Sequence, residues 1–274
     1  MDNPIVKSSF REGMLPNIWC PGCGNGIILR DIAQAIVDNG IDNDRVCIVS
    51  GIGCSSRATG YMDYNTIHTT HGRAIPVATG IKMANDDLEV IVITGDGDAT
   101  AIGGNHFIHG ARRNFNLTVV VFNNNTYGMT SGQYSPTTPP MAYSTTTPYG
   151  NIDNSFDIPK LAIAAGATFV ARGSTFHADL TTKLIKRGIL HRGFAVIDCI
   201  CTCPTYYGSK NGKGNAVDML RWQRDSCVDV ARAAKMGPEE LADKVVIGEL
   251  FCEERANYSD EYRSMMSRCK AGVQ

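Results

Sequence analysis

LEVIVITGDGDATAIGGNHFIHGARRNFNLTVVVFNNNTYGM, Leu88–Met129, is the stretch whose reading decides the fold. Glu89 to Thr94 and Leu117 to Phe122 are short, unbroken, β-branched runs. Such runs mark strands buried on both faces of a parallel sheet. The segment between them, roughly Ala101 to Arg113, reads as the crossover helix of a β-α-β unit. Polar residues follow each run: GDGD at Gly95–Asp98 and NNN at Asn123–Asn125. They fall at the carboxyl ends of adjacent strands, where open α/β sheets bind ligands.

The chemistry follows from residue type. Asp96 stands between two glycines, so the backbone there can turn sharply and approach a ligand closely. A diphosphate needs a divalent cation, and Mg²⁺ takes one or two carboxylates together with phosphate oxygens. Asp96 can supply the carboxylate; the Asn124 side chain and the Thr126 backbone carbonyl can supply two further oxygens. A lone GDG could be only a tight turn. GDG after a buried strand, with paired Asn after the next strand and Tyr127-Gly128 following, is far more specific. A Walker-type phosphate loop is excluded, because the chain contains no G-x-x-x-x-G-K-[ST].

Other buried runs extend the sheet outward from this unit. Val46–Ser50 and Gly193–Ile200 read as buried strands, Thr168–Ala171 as a short strand and Val245–Phe251 as a last one. Helices are expected over Ile27–Val37, Ile75–Ala84, Pro159–Ala165, Ala178–Arg187 and Val217–Ala234, with a helical turn opening over Pro238–Asp243. The first dozen residues read as an extended arm. The expected architecture is α/β: a doubly wound, mostly parallel sheet with helices on both faces. One domain is expected over residues 1–208, with a C-terminal extension over 209–274 packed on a partner.

Composition narrows the function. The 274 residues are 43% hydrophobic, ample for a core, and the net charge of −1 gives no electrostatic case for nucleic acid or an anionic membrane. No run of about 18 apolar residues suggests a membrane span. The first residues lack an apolar signal region, so a cytoplasmic protein is expected.

Ten cysteines, without a signal, point to metal or cluster ligation or to buried thiols rather than disulfides. Trp19–Gly26, WCPGCGNG, is a metal-knuckle pattern at Cys20 and Cys23. Gly51–Arg57, GIGCSSR, places Cys54 just past a strand. Cys201 and Cys203 follow the Gly193–Ile200 strand. Cys20, Cys23, Cys54 and either Cys201 or Cys203 would make four thiolates from three loops, suiting zinc or a [4Fe–4S] cluster. Cys47 reads as a buried thiol, and Cys227, Cys252 and Cys269 as incidental. His68–Ala74, HTTHGRA, points to His71 as a site residue. Tyr127–Pro140 is rich in Gly, Pro, Ser and Thr, and reads as a long loop over the site.

The motifs WCPGCG, GIGCSS, HTTHGRA, GDGD, NNNTYGMTSGQ, SPTTP and CPT together resemble the thiamine diphosphate-binding β subunit of the 2-oxoacid:ferredoxin oxidoreductases, from about Asn17 to Phe251. The resemblance implies a thiamine diphosphate-binding fold holding thiamine diphosphate, Mg²⁺ and a [4Fe–4S] cluster. It implies Mg²⁺ on Asp96, Asn124 and the Thr126 carbonyl, and the cluster on Cys20, Cys23, Cys54 and Cys203, with Cys201 a rival for the fourth position. Cofactor contacts are expected from Gly53, Cys54, Ser55, His71, Gly95, Asp96, Gly97, Asp98, Asn124, Thr126, Tyr127, Gly128, Met129 and Thr130, with His71 the catalytic candidate.

The activating glutamate is expected from a partner α subunit, small γ and δ subunits being possible further partners. The implied reaction is oxidative decarboxylation of 2-oxoglutarate with coenzyme A to succinyl-CoA, electrons leaving to ferredoxin. The tail VDMLRWQR and the later PEEL…VVIG look like the multi-subunit 2-oxoglutarate enzymes. Members of broader specificity can carry Lys where this chain has Ser131, which leaves pyruvate or a branched-chain 2-oxoacid as other substrates. Two rivals stand beside this reading: a non-redox thiamine decarboxylase or synthase, and a zinc-stabilised binding module.

Overall fold

The structure is a computed structural model that describes residues 4–272. Among these, eight strands form one sheet: β1 Val46–Ser50, β2 Asn65–His68, β3 Glu89–Gly95, β4 Leu117–Asn123, β5 Phe169–Ser174, β6 Phe194–Ile200, β7 Cys227–Asp229 and β8 Val245–Cys252. Their order is β2-β1-β3-β4-β6-β5-β8-β7. All pairings are parallel except β5 with β8.

The unbroken apolar runs become strands because both faces of the sheet are covered. Val46, Ile48, Ile91, Ile93, Val120 and Phe122 point to one core, which also takes residues of the helices Asn25–Asp38 and Ala178–Leu190. Their alternates Cys47, Val49, Val90, Val92, Val119 and Val121 point to the other, with residues of the helices Ala74–Ala84, Gly104–Arg113 and Ile158–Ala165. This is the period-two division of a strand buried on both sides. Cys47 is the buried thiol expected of it.

The strand order places the binding crevice. From β1 the chain steps outward to β2, then returns to pair β3 on the other side of β1. The direction of winding therefore reverses between β1 and β3. The loops leaving their carboxyl ends, Gly51–Arg57 and Gly95–Asp98, diverge there and open a crevice.

Four elements differ from the sequence reading. The expected N-terminal arm contains a helix, Pro4–Ser9, and Phe10 then bridges Met62; residues 1–3 lie outside the described residues. The crossover does not begin as a regular helix at Ala101. It opens as a wide π-helical turn over Asp98–Ile102, and regular helix runs over Gly104–Arg113. That turn lets the segment after GDGD enter the helix without withdrawing Asp98 from the crevice.

The single helix expected over Val217–Ala234 is broken. Helix Ala216–Ser226 stops at Cys227, β7 pairs with β8, and a short helix resumes at Val230, capped by Asp229 Oδ1 accepting from Ala231 N–H at 2.8 Å. Val228 is buried in β7, and β-branched residues in a short apolar run fit a strand as readily as a helix. Strand β2, with a largely exposed NTIH sequence, was not expected, because it shows no buried face.

Residues beyond 208 supply β7 and β8, so this segment extends the same sheet. No helix among the described residues is long and apolar enough to cross a membrane.

Candidate cofactor and cluster site

The crevice between β1 and β3 narrows to a cleft of about 90 Å³. Gly53, Cys54 and Ser55 come from the loop after β1, and His71 from the turn before helix Ala74–Ala84. Gly95 to Asp98 come from the end of β3, and Asn124, Thr126, Tyr127, Gly128, Met129 and Thr130 from the loop after β4. All the residues expected to contact the cofactor thus line one cleft. Ile52 and Phe122, which were not among the expected contacts, complete its apolar wall.

Asp96 is 2% exposed. Burial pushes its carboxyl up to about 6, although the Ser135 and Thr137 hydroxyls donate to Oδ2 and pull the other way. Among the described residues no basic side chain pairs with it. A buried carboxylate without a cationic neighbour fits a site that receives a cation. Asn124 Oδ1 accepts from Thr126 N–H at 3.3 Å, and Asn125 between them is left-handed at φ 60°, a conformation Asn tolerates better than most residues. That turn sets Asn124 and Thr126 beside one another. Behind it Asn123 Nδ2 donates to buried Asp198 at 3.0 Å, and Asp198 is held in turn by Arg172 at 2.9 Å.

Ser55 Oγ is buried with no hydrogen-bond partner. It faces Gly95, where an added Cβ would come within 3.3 Å of it. An unsatisfied hydroxyl on the wall of a cleft is a donor for an incoming anion's oxygen. Tyr127 O–H donates to the Gly97 carbonyl at 3.1 Å, and the phenol is pushed up to about 12 by burial and by the charges of Asp96 and Asp98.

Asp98 differs in role from its neighbours. It lines the cleft, but both of its oxygens are engaged by the protein: Oδ1 by His71 Nδ1 and by Gly72 N–H at 2.8 Å, and Oδ2 by Thr94 O–H at 2.8 Å. A Cβ on Gly51 would collide with this carboxylate, so the loop after β1 depends on glycine to pass it. Asp98 orients His71 and has little capacity left for a ligand.

A second, wider cavity of about 670 Å³ adjoins the first and shares Ile52, Gly53, Cys54, Asn124, Gly128 and Met129 with it. Cys20, Cys23, Cys54 and Cys203 all line it, with Trp19, Arg57, His68 and Tyr206. The knuckle turn is closed by Cys23 N–H donating to Cys20 carbonyl at 3.0 Å, and Trp19 Nε1–H donates to the Cys54 carbonyl at 2.7 Å. The loop after β6 is stitched to the knuckle by Gly24 N–H to Thr202 carbonyl and Thr202 O–H to Gly22 carbonyl.

The two cysteines after β6 sit in different places. Cys203 faces the cavity. Cys201 packs into the core, bonds Asn25 Oδ1 at 3.1 Å and touches Cys23 from behind. The thiols feel one another: Cys54 is pushed up to about 12 by burial and then by Cys23, Cys203 and Cys20. Four thiolates here would repel unless a cationic centre joined them.

Among the described residues no three His, Cys, Asp or Glu side chains converge on a single metal position. Cys20, Cys23, Cys54 and Cys203 ring one cavity.

Sequence reasoning missed Ser135 and Thr137 on Asp96, although SPTTP stood out as a motif. It also missed Thr94 beneath Asp98. A hydroxyl directly before GDGD was the available signal for Thr94.

Residues 51–199 match the family model described as the thiamine pyrophosphate enzyme, C-terminal TPP binding domain. The chain is 47% identical to the 2-oxoglutarate synthase subunit KorB of Methanothermobacter thermautotrophicus, covering 95% of this chain and 93% of that one. It is 48% identical to the subunit of the same name from Methanocaldococcus jannaschii, covering 98% and 99%. A solved 2-oxoglutarate:ferredoxin oxidoreductase from Magnetococcus marinus, with 2-oxoglutarate, coenzyme A and succinyl-CoA bound, superposes with a TM-score of 0.86 at 34% identity, covering 100% of this chain and 93% of that one.

Proposed function

The chain belongs to the β-subunit family of the 2-oxoacid:ferredoxin oxidoreductases, and we propose that with a partner α subunit it oxidatively decarboxylates 2-oxoglutarate with coenzyme A. The products are succinyl-CoA, CO₂ and reduced ferredoxin. One observation carries this reading: the GDG–NN cleft and the four-thiol cavity share a wall, and Cys54 lines both. A cofactor in one and a [4Fe–4S] cluster in the other would be near neighbours. A non-redox thiamine enzyme has no use for that arrangement.

Bound thiamine diphosphate supplies the carbon nucleophile and electron sink needed to cleave a 2-oxoacid beside its carbonyl. The chain's own residues do the rest. Asp96, Asn124 and the Thr126 carbonyl would hold Mg²⁺ against the diphosphate, and the Ser55 hydroxyl would donate to a phosphate oxygen. His71, its Nδ1 committed to Asp98, presents Nε2 to the cleft. Ile52, Phe122 and Met129 give the cleft an apolar wall. Cys20, Cys23, Cys54 and Cys203 would hold the cluster.

A complete small-molecule ligand usually needs ~300–1,000 Å³. The cleft of about 90 Å³ suits the diphosphate end alone, which supports a partner subunit closing over the rest and bringing the activating carboxylate. The exposed side of residues 209–272 is a further surface for that partner. We place the enzyme in the cytoplasm, where coenzyme A and ferredoxin would meet it.

The test is to purify the chain anaerobically with its co-expressed partner and to assay iron, acid-labile sulfide, zinc and thiamine diphosphate. About four irons and four sulfides per chain, with one thiamine diphosphate, are expected. Thiamine diphosphate with zinc, or with no metal beyond Mg²⁺, would remove the redox claim.

A further inference from the structure

The segment Gln133–Thr138 bonds Asp96 and the Asn125–Thr126 part of the turn after β4. Ser135 O–H donates to Asp96 Oδ2 at 2.5 Å, and Thr137 O–H donates to the same oxygen. Thr138 O–H donates to the Asn125 carbonyl at 2.7 Å, and the Gln133 carbonyl accepts from Thr126 O–H at 2.9 Å. The segment is itself a tight turn. Thr138 N–H donates to the Ser135 carbonyl at 3.0 Å, Pro136 occupies its second position, and Ser135 N–H donates to Thr138 Oγ1 at 2.8 Å. Ser135, Thr137 and Thr138 are 1%, 5% and 1% exposed. Buried hydroxyls converging on one carboxylate oxygen, from a loop distant in sequence, are a built feature.

We propose that Ser135 and Thr137 are positioning residues for the metal-binding carboxylate: by occupying Oδ2 they leave Asp96 a single oxygen for the ion. This rests on the cofactor reading above. Mg²⁺ demands near-ideal octahedral geometry and takes a carboxylate through one oxygen, whereas Ca²⁺ accepts both oxygens in a looser shell. Filling Oδ2 with two hydroxyls therefore favours the smaller ion. Groups that orient a ligand in this way typically contribute 10–100-fold in metal affinity.

The experiment uses the anaerobically purified complex with its partner, stripped of divalent metal and given thiamine diphosphate. Free Mn²⁺ is followed by electron paramagnetic resonance as Mn²⁺ is added, and Mg²⁺ and Ca²⁺ are measured by competition. Ser135→Ala and Thr137→Val should each weaken Mn²⁺ and Mg²⁺ about 10–100-fold, with a smaller loss for Ca²⁺. Thr137→Ser, which keeps the hydroxyl, should restore the wild-type affinity and ion preference. Circular dichroism of the variants checks that the fold survives. Wild-type affinity and ion preference in both Ser135→Ala and Thr137→Val, with Asp96→Asn losing the ion, would overturn this inference and leave the cofactor reading standing. If the wild type itself takes up no Mn²⁺ with thiamine diphosphate, the cofactor reading fails and this inference falls with it.

Discussion

Asp98 holds His71. The Nδ1 atom of the imidazole is hydrogen-bonded to Asp98 Oδ1, and the Gly72 amide and Thr94 hydroxyl bind the same carboxylate. A carboxylate accepts, so Nδ1 carries the proton and Nε2 is the nitrogen left for the cleft. Asp98→Asn can keep an oxygen toward Gly72 and His71 while its amide donates to Thr94. Asp98→Ala leaves buried donors unpaired and should cost about 1–3 kcal/mol. Thermal unfolding of the complex should therefore show Asp98→Ala clearly below wild type and Asp98→Asn close to it. Equal losses in the two variants would mean that hydrogen bonding at this carboxylate is not what matters.

Gly97 packs closely against Tyr127 of the loop after β4. An added Cβ would lie 2.3 Å from the Tyr127 ring. Gly97→Ala must push Tyr127 aside, break its bond to the Gly97 carbonyl and deform the cleft. Overpacking of this kind costs about 1–3 kcal/mol, which corresponds to about 5- to 150-fold in affinity if it falls on the ligand-bound state. Thiamine diphosphate titration followed by tryptophan fluorescence should show that loss, with the far-ultraviolet circular dichroism unchanged.

Cys203 and Cys201 are two residues apart and should behave oppositely. Cys203→Ala removes a thiol from the cavity wall and should abolish the visible absorbance of an iron–sulfur cluster. Cys201→Ala changes a core thiol behind Cys23 and should keep the absorbance and the iron content. The reverse pattern would make Cys201 the ligand and require the loop after β6 to turn over.

Asp31 predicts a pH dependence away from the site. Its side chain is fully buried on helix Asn25–Asp38, one oxygen is bonded by Arg30, and the other has no partner. Burial raises its carboxyl from 3.8 to about 6, outweighing Arg30. The folded state then binds the proton more tightly than the unfolded chain, so this group's contribution is present below pH ~4 and is lost as pH rises through ~6. The loss is at most about 3 kcal/mol. Asp31→Asn should gain stability relative to wild type as the pH is raised from 5 to 7.5. Unfolding midpoints that stay parallel across that range would contradict the assignment.

Much of the fold could be read from the chain because its central strands are buried on both faces. Val90–Ile93 and Val119–Phe122 have to be apolar without interruption. What stayed hidden had no such double constraint. Asn65–His68 is an exposed strand at the edge of the sheet, and hydrogen bonding alone gives it that form. Cys227–Asp229 lies within a pattern that helix and strand share, and β8 decides between them. The cleft was legible as a set of loops, since Gly95–Asp98 and Asn124–Thr130 carry their chemistry in residue type and spacing. The hydroxyls of Ser135 and Thr137 reach Asp96 across a loop whose path the sequence does not specify. The different settings of Cys201 and Cys203 likewise follow from the stitching of Gly22 and Gly24 to Thr202.

The most direct test of the account is ferredoxin reduction by the anaerobically purified complex. Reduced ferredoxin, CO₂ and succinyl-CoA are followed together, with and without coenzyme A, on 2-oxoglutarate, pyruvate and a branched-chain 2-oxoacid. We predict sustained ferredoxin reduction that requires coenzyme A, matched by succinyl-CoA, and a kcat/KM for 2-oxoglutarate well above the others. Release of CO₂ from 2-oxoglutarate with no reduction of ferredoxin would contradict the account and mark the chain as a non-redox thiamine enzyme.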